Sequence, residues 1–150
     1  MRLPAEVRER FRRYGRTGGE VRAARMSSAA KRAVARRAAI ARWVGVRFGA
    51  SSFAALGLPG SDIVDAGLAD LAEEKTTVDS LAVSLAAPRL RREGVPLGST
   101  DENPEERLYG LLSRSAGDLA HARYNAYLRQ MVSFADACRA VRVERKCHAS

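Results

Sequence analysis

The chain has 150 residues, 46% of them hydrophobic but only 6% aromatic, and a formal charge of +9. That length holds one ordinary domain, or a small domain with an appendage, and excludes a large two-domain enzyme. No run approaches the ~18–20 apolar residues of a membrane span, Met1-Arg2-Leu3-Pro4 opens no secretory signal, and two cysteines, Cys138 and Cys147, are too few for a disulfide framework and fit a reducing cytoplasm.

The first helix begins at Pro4, a favourable first-turn residue. It is expected to run to about Tyr14, with Leu3, Val7, Phe11 and Tyr14 as a narrow apolar stripe. Gly15, Gly18 and Gly19 then break it, and a short helical piece follows from Glu20 to about Met26. Ser27 is placed to cap a long helix from Ser28 to about Phe48. Residues 49–60, rich in Gly, Ser and Pro, read as a linker. Ser61 caps a helix over Asp62–Glu74, whose Asp62 and Asp65 suit the positive end of the helix dipole. Thr76-Thr77 opens another helix to about Ala86. Ala87-Pro88 kinks or ends that helix before a further turn at Arg89–Glu93. Val95–Asn103 reads as loop, Pro104 starts a helix to about Arg114, and the last helix covers Asp118 to about Arg145. No segment alternates with the period of two that a strand requires. The expected fold class is therefore all-α: a basic helical segment, 1–49, joined by the linker to a helical bundle module, 61–146.

The last helix carries the clearest packing signal. Ala120, Tyr124, Tyr127, Met131, Phe134, Cys138 and Val141 recur at intervals of four and three. Two readings stay open. The stripe is core, packed on the preceding helices, or Tyr124, Tyr127, Met131 and Phe134 form a seam for a homodimer or a partner protein.

Charge points most directly to a function. Residues 1–50 hold 14 Lys+Arg against three acids, whereas residues 51–150 hold 12 against 14. Arg-rich composition alone does not explain this, because residues 51–88 hold six acids and one base, Lys75. At about 100° per residue, Lys31, Arg32, Arg36, Arg42 and Arg47 fall within an arc of roughly 160° that also contains Trp43. Ala30, Ala33, Val34, Ile40, Ala41, Val44 and Phe48 occupy the other side. Arg37 lies in the middle of that apolar side and needs an acidic partner or a snorkelled pose. Cations with an indole on one face suit a phosphate backbone, with the ring on a sugar or a splayed base. Arg22 and Arg25 extend the surface. The expected ligand is nucleic acid, DNA before RNA; an acidic protein partner and a merely solvated Arg-rich face are the other readings of the same charge. One helix-turn-helix geometry uses Glu20–Met26, Ser27-Ser28 and the basic helix; the other uses Val78–Ala86, Ala87-Pro88 and Arg89–Arg92.

The stretch from Tyr14-Gly15-Arg16-Thr17-Gly18-Gly19-Glu20 to Ser27, with Ala35-Arg36-Arg37-Ala38-Ala39-Ile40-Ala41-Arg42-Trp43, resembles the Gly-Gly, Ala- and Arg/Lys-rich starts of small bacterial and plasmid proteins. These are akin to the Lys-Gly-Gly motif of stress-induced proteins. Leu56-Gly57-Leu58-Pro59-Gly60, Ala87-Pro88-Arg89-Leu90-Arg91 and Ala122-Arg123-Tyr124-Asn125 are similar to segments of small helical proteins found beside nucleotidyltransferase-type toxins. That resemblance implies an antitoxin-like or autoregulatory DNA-binding protein with a toxin-like partner. Arg114, seven residues before His121, resembles the Arg-x(4–6)-His pattern of helical HEPN ribonucleases, which implies His121 as acid/base and Arg114 on the phosphorane. An RNA-binding accessory protein and such a ribonuclease are the alternatives to a non-enzymatic DNA-binding factor. No phosphate-binding glycine loop is present. Cys138, Cys147 and His148 lack the spacing of a zinc site, so neither cofactor nor metal is expected.

Overall fold

The computed structural model describes residues 4–148, with side chains described through Val141. Every regular element among these residues is helical. The α-helices are α1 (Ala5–Arg25), α2 (Ser28–Phe48), α3 (Ser61–Ala72), α4 (Val78–Arg92), α5 (Pro104–Ala116) and α6 (Ala120–His148). Single 3-10 turns cover Ala54–Leu56 and Gly117–Leu119. Compactness divides the chain inside α2, into a unit ending at Arg32 and a unit starting at Ala33. That division does not fall at 49–60, where the linker was expected.

In the first unit, α1 runs unbroken through Gly15, Gly18 and Gly19. None of the three has a positive φ. Glycine with ordinary helical dihedrals weakens a helix by about 1 kcal/mol relative to alanine without ending it. The expected break after Tyr14 and the separate piece at Glu20–Met26 are thus corrected to one 21-residue helix. The chain turns at Met26-Ser27, and Ser27 Oγ accepts the Ala30 N–H at 3.1 Å, the expected cap of α2. No residue of α1 is buried.

The second unit is built on the inward line of α2. Ala33, Val44 and Phe48 are buried and Ile40 is half-buried, while Val34 and Ala41 face solvent. The stretch 49–60 is not a spacer, because Phe53 within it is fully buried. Its ring meets Phe134 edge-on at 5.0 Å and Phe48 at 5.9 Å. The Asp65 carboxylate accepts the N–H groups of Phe53 (3.2 Å) and Ala54 (2.8 Å), which fixes the loop to α3. Ser61 is the first residue of α3 rather than its cap; Gly60, at φ 70°, holds that place.

Helices α3 and α4 approach closely at Gly67, where a Cβ would lie 2.5 Å from the Asp79 carbonyl oxygen and 2.6 Å from Val83 Cγ2. Thr77 caps α4 by a reciprocal pair: its Oγ1 accepts the Ser80 N–H at 3.1 Å, and Ser80 Oγ accepts the Thr77 N–H at 2.8 Å. The helix then continues through Pro88 to Arg92. Of the kink or end expected at Ala87-Pro88, the end is corrected, and the second helix-turn-helix geometry goes with it. Buried residues on both sides of the proline, Leu81, Val83, Ala87 and Leu90, hold the helix against the core and outweigh the lost hydrogen bond.

Helix α6 closes the bundle. Ala120, Met131, Phe134 and Cys138 are buried, and Tyr124, Tyr127 and Val141 pack at the core's edge. The stripe is therefore core. As a seam for a second chain it is corrected: Met131 is 2% and Phe134 0% exposed, so neither offers surface to a partner. Glu93, 3% exposed at the end of α4, accepts from Arg139 Nε and Nη2 of α6 at 3.1 and 2.9 Å. This contact holds the Arg139 guanidinium more firmly protonated than usual.

Candidate nucleic-acid interface

The cations expected on one face of α2 meet different surroundings. Arg36 is half-buried on the inward side, where its Nη1 donates to the Ala72 carbonyl at 3.4 Å and to Glu74 Oε1 at 3.3 Å. Arg37 finds the acid its position required, Glu73 Oε1 at 3.0 Å. Glu73 also takes Lys75 Nζ at 2.6 Å. Lys75, by its hydrogen bond and charge, and then Arg37 hold the Glu73 carboxyl below its ordinary value. The end of α3 thus neutralises much of the middle of α2. Trp43, expected outward among the cations, turns to the core: it is half-buried, with its ring 5.5 Å from Phe48 and 6.2 Å from Phe53. Arg42 and Arg47 are exposed on the last two turns of α2.

In the first unit, Arg22, Arg25, Lys31 and Arg32 are all exposed. Residues 1–32 contain ten Lys+Arg and three acids. The continuity of α1 adds a face that the sequence reading cut in two. Val7, Phe11, Tyr14 and Val21 fall within about 40° of one line along a helix of 100° per residue. On the same reckoning, Arg25 lies on that line and Arg10 and Arg22 flank it within about 60°. Val7, Arg10, Phe11 and Tyr14 line one shallow groove of ≈ 190 Å³. Glu9 and Glu20 lie on the far side, where Glu9 Oε2 accepts from Arg12 Nη1 at 3.1 Å. Phe11 and Tyr14 are 65% and 66% exposed, unusual for aromatic rings on a helix that buries nothing. Arg10, Phe11 and Tyr14 were absent from the expected site. The signal for them was the seven-residue spacing Val7, Tyr14, Val21, hidden once the glycines were read as an end. Leu3, the first member of the expected stripe, lies outside the described residues.

A second surface differs in sign. Asp62, Asp79, Arg123, Tyr127 and Gln130 rim a cleft of ≈ 690 Å³ floored by Ile63 and Leu112. Burial, then Asp70 and Asp62, pushes the Asp79 carboxyl above its ordinary value. Burial followed by Asp79 does the same to the Tyr127 hydroxyl.

Arg114 and His121 stand on different helices, since Gly117 at φ 53° ends α5. Arg114 lines a cleft with Thr76, Asn103 and Arg107. The His121 ring contacts Asn125 at 3.0 Å. The single helical face on which the ribonuclease pattern depends is not formed. The side chains of Cys147 and His148 lie outside the described residues, and Cys138 is buried. Among the described residues no helix is long and apolar enough to cross a membrane. No protein-family model, curated protein or solved structure matches the chain.

Proposed function

We propose that this protein binds nucleic acid without catalysing a reaction on it, through the cations of its N-terminal unit. The observation that carries this reading is the exposed charge of that unit. Arg8, Arg10, Arg22 and Arg25 on α1, with Lys31 and Arg32, project into solvent, and the Arg12–Glu9 ion pair of α1 does not involve them. Such cations displace counterions condensed on a phosphate chain, and binding gains from the salt released. Arg36 and Arg37 contribute less, because carboxylates of the α3 end already hold them. The interface is therefore centred on α1 rather than on α2. An antitoxin-like or autoregulatory role is the biological setting that the sequence resemblance suggests for such binding.

The test is a titration of the full chain by fluorescence anisotropy against duplex DNA and single-stranded RNA over a range of salt. Affinity that falls linearly on a log–log plot, with a slope of several units, supports the reading. Affinity indifferent to salt refutes it.

A further inference from the structure

The N-terminal helix offers more than charge. Its most exposed rings, Phe11 and Tyr14, stand one turn apart on a groove shared with Val7 and Arg10. The acids Glu9 and Glu20 lie on the opposite side by helical geometry. The ring-bearing face thus combines aromatic surface with positive charge, and the nearest acid, Glu6, lies about 100° from its line at the Arg10 edge. A ligand that fits needs both negative charge and flat apolar groups at close intervals.

We infer that this face takes a single-stranded nucleic acid, with Phe11 and Tyr14 stacking on unpaired bases and Arg10, Arg22 and Arg25 on the flanking phosphates. The inference rests on the nucleic-acid reading above and specifies the strand form. A duplex keeps its bases stacked on each other and has no free base face for the two rings. Of the two helix-turn-helix frames that would read a duplex, the one at Pro88 is not formed, and in the other α2 follows a 21-residue helix in place of the short one expected. An anionic lipid surface would match the charge, but it requires a long continuous apolar face. Among the described residues that face is two rings and two valines, with Gly18 between them on the same line. Charge complementarity with stacking selects the single strand.

The experiment compares the full chain with Phe11→Leu and Tyr14→Leu variants. The probes are fluorescent oligo(U), oligo(dT), a duplex of equal length, and phosphatidylglycerol vesicles. Leucine keeps apolar bulk and helix propensity but removes the aromatic face, and neither position contributes to the core. Circular dichroism is the check that both variants keep the helical content of the wild type. The wild type is expected to bind the single strands more tightly than the duplex, and each leucine variant to lose about 5- to 150-fold on single strands. Duplex binding is expected to change little, and Tyr14→Phe to retain full affinity. Single-strand affinity unchanged in both leucine variants, with salt-dependent binding intact, overturns the inference and leaves the broader reading standing. Failure to bind any oligonucleotide overturns both. Vesicle binding that survives the leucine substitutions, in place of single-strand binding, assigns the face to lipid and overturns the inference.

Discussion

Replacing Gly67 by alanine tests the packing of α3 on α4 directly. The added Cβ would lie 2.5 Å from the Asp79 carbonyl oxygen, 2.6 Å from Val83 Cγ2 and 2.9 Å from the Asp79 carbonyl carbon, where ordinary contact begins at 3.4 Å. Two of these atoms are backbone, so a rotamer change cannot relieve the overlap, and the helices must separate by up to about an ångström. Overpacking of this kind costs about 1–3 kcal/mol or more. Alanine recovers about 1 kcal/mol through its higher helix propensity, so the net loss is expected to reach about 1–2 kcal/mol. For a unit of this size that lowers Tm by roughly 4–10 °C. Gly110→Ala is the control: it sits inside α5 with open space around its Cβ and an ordinary φ. There the propensity term acts alone and raises stability by about 0.5–1 kcal/mol. Thermal and urea unfolding of both variants decide the matter. A Gly67→Ala protein as stable as Gly110→Ala would refute the close approach of the two helices.

Phe53→Ala is expected to destabilise the protein by about 3–5 kcal/mol in urea unfolding, as for a buried aromatic side chain; a loss below about 1 kcal/mol would restore residues 49–60 to the status of a spacer. The Asp79 carboxyl, followed by NMR, is expected to titrate above the ordinary aspartate value of about 3.9. Because its folded-state pKa is raised, its ionised form works against the fold above that pKa, and the penalty is relieved as pH falls through it. A midpoint at or below the ordinary value contradicts the burial beside Asp62 and Asp70. Arg139→Ala is expected to lower Tm more than Arg129→Ala, because Arg139 serves the buried Glu93 while Arg129 is exposed on the same helix; equal effects would remove that distinction.

The sequence carried the helical class and the heptad stripe of α6 because both follow from local periodicity, which needs only one chain segment to be read. It also carried the Ser27 cap, the Thr77 helix start and the need of Arg37 for an acid, each a local or single-helix argument. Three features were not legible. Continuation of α1 through three glycines and of α4 through Pro88 depends on dihedrals and packing that override weak local preferences. The place of Phe53 in the core is set by Asp65 and Phe134, 12 and 81 residues away, which no window of sequence connects. The pairing of Arg36 with Glu74 and the turning of Trp43 onto Phe48 shift the candidate interface for the same reason. A helical wheel shows which side chains share a face, not which face the rest of the chain covers.

The central claim is that nucleic acid is held by the exposed cations of α1 and not by the paired cations of α2. The most direct measurement is the salt dependence of oligo(U) affinity for three full-length proteins: the wild type, Arg10→Ala/Arg22→Ala/Arg25→Ala, and Arg36→Ala/Arg37→Ala. At about 0.7 of a unit per contact on a single strand, the α1 variant is expected to flatten the log–log slope by about two units. The α2 variant is expected to leave the slope near that of the wild type. A slope unchanged by the α1 substitutions, or lost only with Arg36 and Arg37, would contradict the account.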